Sequence, residues 1–166
     1  GRTFCGGPWA GPGGVFVRSS SMSMMKRLDF ENPAMDDASV PFMVCCSRGP
    51  VPEQVAMLPT SKIIQHGGAG RHFLNLLEGR AALWVHVNGH ASRWDTCAGE
   101  ALLAALGGVA VDRTSGAPYG YGRPDPAAPG TFKDLGGVLA ARTPAHLRRY
   151  YRHAALRGEE AAARAA

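Results

Sequence analysis

Asp95, in the run Arg93-Trp94-Asp95-Thr96-Cys97-Ala98-Gly99, opens an apolar stretch that stops at Gly107-Gly108. A carboxylate in that position does one of two things. It caps the first turn of a helix, stabilising it by about 0.5–2 kcal/mol, or it offers oxygen to a hard cation such as Mg²⁺, which takes several oxygen ligands. One strand and one helix upstream, Gly67-Gly68-Ala69-Gly70 leads into another helical stretch. Glycines directly before a helix let an anion approach its free N–H groups, where the helix dipole favours negative charge. The same glycines also suit a strand-to-helix turn for backbone reasons alone. No complete phosphate-loop pattern accompanies them.

Further metal ligands are not evident. Asp29, Glu31, Asp36 and Asp37 fall in an irregular stretch, Asp112 at a strand end and Asp125 in a loop. One carboxylate cannot run two-metal phosphate hydrolysis. His86 and His90, with Cys45, Cys46 and Cys97, lack the spacing of a zinc site. No nucleophile-elbow pattern is present either. Tyr119 and Tyr121, among glycines, could stack on a base or simply be exposed loop residues.

The elements that must position these residues alternate between strand and helix. Strands are expected at 13–18, 40–46, 82–86, 109–112 and 137–141, with a short buried one at 63–64. Helices are expected at 52–58, 71–78, 95–106 and 144–156, with Phe73, Leu74, Leu76 and Leu77 as one apolar face. Residues 19–39 show no period and read as an irregular insertion, while 117–134 read as a surface loop. This predicts an α/β fold, a mixed sheet flanked by helices. Three parts are expected: a Gly/Pro-rich strand and insertion at 1–39, the α/β unit at 40–157, and a frayed tail at 158–166.

The chain has 166 residues, 45% of them hydrophobic, which suits one globular unit. Net charge is +5, but the basic residues are scattered, so nucleic-acid binding is not favoured. Arg142, Arg148, Arg149, Arg152 and Arg157 read as a solvated helical face. Four cysteines, two of them adjacent and pointing to opposite faces of a strand, form no disulfide framework and predict an intracellular setting, cytoplasmic or organellar. No apolar run is long enough to span a membrane.

Together, Gly-Gly-Ala-Gly at 67–70, Leu76-Leu77-Glu78-Gly79-Arg80-Ala81, Trp94-Asp95-Thr96-Cys97-Ala98 and Gly107-Gly108 resemble the C-terminal half of a 3′(2′),5′-bisphosphate nucleotidase. That group lies within the inositol monophosphatase-like superfamily of Mg²⁺-dependent, lithium-sensitive phosphatases. The resemblance covers residues 40–155 well and 1–18 loosely. It implies hydrolysis of 3′-phosphoadenosine 5′-phosphate to AMP and phosphate, Asp95 as a metal ligand, and Ser47, Gly67 and Gly68 near the nucleotide. His72 stands where the family has a lysine, with Arg71 adjacent, and Pro50 replaces a nucleotide-contacting histidine. The family's Glu-Glu and Asp-Pro-x-Asp-Gly-Thr segments have no match and would precede Gly1, so the Mg²⁺ site is incomplete here. The resemblance therefore implies a partner, either the N-terminal half or another protein chain covering an exposed apolar face. A non-catalytic binding or scaffold subunit is the alternative. The resemblance also implies that Asp95 and the 67–70 turn share one cleft.

Overall fold

Side chains alternate between the two faces of a strand, and the run Phe42–Ser47 (β4) shows the consequence. Val44 and Cys46 join one hydrophobic layer and Cys45 the other, all three fully buried. The same split separates Leu83 and Val85 from Trp84, and Leu139 and Ala141 from Val138 and Ala140. Strands buried on both faces read as continuous apolar runs, and for that reason they stand out in the sequence. The computed structural model describes residues 2–6, 15–21, 24, 26–28, 42–122, 124, 130–134 and 136–165.

In chain order the remaining elements are β1 (Arg2–Gly6), β2 (Val15–Ser19), β3 (Lys26–Leu28), α1 (Glu53–Ala56), β5 (Thr60–His66), α2 (Ala69–Leu77), β6 (Leu83–His86), α3 (Arg93–Ala105), β7 (Val109–Asp112), β8 (Val138–Ala141) and α4 (Pro144–Ala165). The main sheet runs β5-β4-β6-β8-β7, parallel from β5 to β6 and antiparallel at β6–β8 and β8–β7. Val55 of α1, Leu58 just after it and Tyr150 of α4 pack on one face, and Phe73, Leu76 and Leu103 of α2 and α3 on the other. The expected mixed α/β architecture is therefore present.

Several boundaries and burials differ from expectation. β5 spans Thr60–His66 as an edge strand, with Ser61, Lys62 and Gln65 exposed, rather than a short buried strand. Only β4 pairs with it, and exposed side chains occur on both of its faces, Lys62 on one and Gln65 on the other. In α2, His72 and Asn75 are buried beside Phe73, Leu76 and Leu77, while Leu74 is only partly buried. Helix α4 continues to Ala165 instead of stopping at 156. Arg149 turns into the protein instead of forming a solvated face, while Arg148 and Arg152 are exposed.

The 19–39 stretch, read as an irregular insertion, contains β3, which pairs with β2 through Val15↔Leu28 to Val17↔Lys26. β2 also pairs with β1, giving a three-stranded antiparallel sheet. Phe4 of β1 packs on the α2–α3 layer, and Arg2 forms an ion pair with Glu78. Trp9, Asp29, Glu31, Asp36, Asp37 and Asp125 lie outside the described residues.

The 117–134 segment is pinned where it is described. Backbone bonds Arg93 N–H to Phe132 O and Asp134 N–H to Ala91 O, each 2.9 Å, seat it against the start of α3. Tyr119 is not an exposed stacking platform. Its hydroxyl lies 2.9 Å from Val111 O and 2.8 Å from Gly137 O, and the Arg93 guanidinium sits over its ring. Tyr121 is exposed, but its hydroxyl bonds Glu100. Among the described residues no helix is long and apolar enough to cross a membrane.

Candidate functional site

Parallel strands β4 and β6 end side by side, and helices α2 and α3 begin next to them. Ligands of α/β sheets bind outside the carboxyl ends of such strands. Here Ser47, Gly68, His72, His86, His90 and Asp95 line one cleft of about 250 Å³. Ser47 closes β4, His86 closes β6, Gly68 caps α2 and Asp95 lies in the first turn of α3. Gly67 and Arg71 flank the same turn and are exposed, but they do not line the cleft.

Gly68 has φ +82°, a left-handed conformation that glycine adopts at little cost. It precedes the first turn of α2, where no side chain caps the helix and the Arg71 N–H donates to the Gly68 carbonyl at 3.1 Å. Unsatisfied N–H groups at a helix start suit an anion. Asp95 uses one oxygen locally, Oδ2 accepting from the Ser92 N–H at 3.0 Å. The cap and the ligand roles are therefore compatible, because the residue is exposed and each role needs one oxygen.

His72 is a buried part of the cleft wall, stacked on Trp84 with ring centroids 4.9 Å apart. Burial lowers its pKa to about 4, assisted by the nearby His66. A neutral, buried imidazole cannot replace the charge of a lysine; Arg71, adjacent in the chain, is exposed, and Arg48 lines the neighbouring hollow rather than this cleft. Burial, then His90, also lowers the pKa of His86. Ser47 Oγ lies 3.1 Å from His86 Nδ1. Gln65 Nε2 donates to Ser47 O at 3.3 Å and Gly49 O at 2.7 Å, bracing the turn after β4.

Four other described acids serve contacts elsewhere, Glu78 with Arg2 and Arg80, and Glu100 with Tyr121, among them. Asp112 Oδ1 accepts from Thr114 and Ser115. Asp134, its pKa raised to about 7 by burial and held back by Arg93, lies inside the protein. Among the described residues no group of three or more His, Cys, Asp or Glu side chains could hold a metal ion. The described donors thus do not fit a complete Mg²⁺ shell, and Asp95 supplies a single carboxylate. The cysteines do not converge with the histidines, since Cys45 and Cys46 are buried and Cys97 is exposed on α3. From the sequence His86 and His90 suggest at most zinc ligands, whereas the fold places both in this cleft. Their position at and just after the end of β6 was the available signal.

The inositol monophosphatase family model matches residues 26–158. Human 3′(2′),5′-bisphosphate nucleotidase 1 is 37% identical over 62 residues, which is 37% of this chain and 20% of the relative. Inositol monophosphatase 3 of Xenopus laevis is 43% identical over 87 residues, covering 49% of this chain and 22% of the relative. Among solved structures, the Thermotoga maritima IMPase aligns with TM-score 0.55 at 15% identity, covering 88% of this chain and 53% of that one. The extragenic suppressor protein suhB of Bartonella henselae aligns with TM-score 0.56 at 13% identity, covering 84% of this chain and 53% of that one. The matched part of the chain spans about a fifth of the length of these curated relatives. The family match, the shared fold and the cleft between α2 and α3 agree: this chain belongs to the inositol monophosphatase family.

Proposed function

We propose that the cleft is one wall of a Mg²⁺-dependent phosphomonoesterase site acting on a 3′(2′),5′-bisphosphate nucleotide, with 3′-phosphoadenosine 5′-phosphate converted to AMP and phosphate. The observation that carries this reading is that Gly68 and Asp95, from two different helices, line the same cleft. One offers N–H groups to an anion and the other a carboxylate to a hard cation. Similarity to the human nucleotidase favours a nucleotide over other phosphate esters. Magnesium, when bound, would neutralise phosphate charge. Asp95 is the described residue placed to help hold it, and the other ligands have to come from outside the described residues or from a second protein segment.

A non-catalytic binding subunit is the second reading, favoured by the single described metal carboxylate. One experiment separates the two. Titration of the chain with 3′-phosphoadenosine 5′-phosphate, with and without Mg²⁺, should show saturable binding that weakens as salt rises. Phosphate release is then measured from the longest natural form of the protein and from its Asp95→Asn variant. Turnover lost in the variant supports the enzyme, and binding without turnover supports the subunit. Absence of any saturable binding would remove both.

A further inference from the structure

Ser47 and His86 are the residues at which two hollows meet. Both line the cleft that holds Gly68 and Asp95, and both line a neighbouring hollow of about 320 Å³ formed with Arg48, Pro50, Gln54 and Asn88. They end adjacent parallel strands one step beyond the Cys46↔Val85 pair, which brings Ser47 Oγ within 3.1 Å of His86 Nδ1. The backbone at His86 is held from behind by Gly137, where a Cβ would drive into the His86 carbonyl oxygen. The other ring nitrogen, His86 Nε2, is buried and has no hydrogen-bond partner among the described residues. A buried polar atom left without a partner costs about 1–3 kcal/mol, so its satisfaction by a ligand is favourable.

We propose that Ser47 and His86 form a specificity-determining pair that selects phosphate esters bearing a free hydroxyl on the carbon next to the esterified one, an inference that rests on the phosphomonoesterase reading of the cleft. A ligand with its phosphate at the start of α2 and its body in the second hollow must cross this pair. In that pose the substituents on the carbon beside the ester carbon, being nearest the phosphate, are the first that could reach the pair. A hydroxyl both donates and accepts, so it matches a neutral imidazole whichever tautomer the Ser47 contact selects. Burial keeps His86 toward its neutral form, which suits a hydroxyl better than a phosphate oxygen. Sites that hydrogen-bond a substrate hydroxyl discriminate strongly against the analogue lacking it, because their polar atoms are then stranded.

The test is calorimetric titration of the whole chain with 3′-phosphoadenosine 5′-phosphate and with its 2′-deoxy analogue, which carry the same phosphates. The deoxy compound should bind about tenfold more weakly, a gap of the size one well-made hydrogen bond supplies. In His86→Phe the two should bind alike, with the ribonucleotide falling to the level of the deoxy form. Ser47→Ala should narrow the same gap and serves as the second variant should His86→Phe fail to fold. Equal binding by the unaltered protein overturns the inference and leaves the phosphomonoesterase reading standing. A tenfold gap that survives in folded His86→Phe also overturns it. Failure of both nucleotides to bind overturns both proposals.

Discussion

Asp95 Oδ2 accepts a hydrogen bond from the backbone N–H of Ser92 at 3.0 Å, closing the first turn of α3 at the rim of the cleft. Its two oxygens therefore answer to different tests. Asp95→Ala should cost about 1 kcal/mol of stability by removing the cap. Asp95→Asn retains an oxygen acceptor and should cost about half as much. Both should abolish any Mg²⁺-dependent tightening of nucleotide binding equally. Urea midpoints and titrations with and without Mg²⁺ on the two variants check this.

The purified 166-residue chain should release no phosphate from 3′-phosphoadenosine 5′-phosphate at saturating Mg²⁺. Among the described residues Asp95 is the single carboxylate in the cleft, and one cannot supply the charge neutralisation and positioned water that phosphoryl transfer requires. A phosphate-release assay decides it, and Mg²⁺-dependent turnover would show that the ligand set is complete within the chain.

Gly137 and Gly68 both have left-handed backbones, φ +80° and +82°, but differ in their surroundings. A Cβ at Gly137 would strike the His86 carbonyl oxygen, while one at Gly68 would meet open space. Gly137→Ala should cost about 2–4 kcal/mol, backbone strain plus overpacking. Gly68→Ala should cost only the strain, about 1–2 kcal/mol. Thermal melts of the two variants give the comparison, and a larger loss at Gly68 would contradict the packing described at Gly137.

His146 is fully buried, with Nδ1 3.0 Å from Thr143 Oγ1. Burial lowers its pKa to about 4, with Arg142 and Arg149 adding to the effect. As pH falls below the ordinary value near 6.5, the unfolded chain takes up the proton before the folded one. The stability His146 contributes is thus present above about pH 6.5 and lost towards pH 4. His146→Asn should destabilise by about 1 kcal/mol at pH 7.5. That cost should shrink on acidification at no more than about 1.4 kcal/mol per pH unit. Urea melts of both proteins from pH 7.5 to 4.5 measure it, and a cost that grows on acidification would refute the assignment.

Cysteine reactivity should sort by burial. Cys45 and Cys46 are fully buried, and burial raises the pKa of both thiols. Cys97 is exposed and Cys5 partly so. Maleimide should therefore modify Cys97 first and Cys5 more slowly in the native protein, with Cys45 and Cys46 reacting only in denaturant. Peptide mass mapping reads the order.

By itself the sequence determined the alternation of strands and helices, because buried strands and amphipathic helices carry their periodicity in local residue types. The capped start of α3 at Asp95, the glycine turn before α2 and the two-sided burial of Cys45 and Cys46 were legible for the same reason. What sequence periodicity could not decide was pairing. β3 has no period of its own and is a strand because β2 offers it a partner. Asp134 and Arg149 are ionisable yet buried, and Asp134 lies beside Arg93, which the fold brings from the start of α3. Ser47 and His86 are 39 positions apart and meet only because β4 and β6 align in parallel and end together. Which strand ends share an edge is set by long-range contacts, so local residue types named the cleft's glycine and carboxylate but only the tertiary structure brought the imidazoles to them.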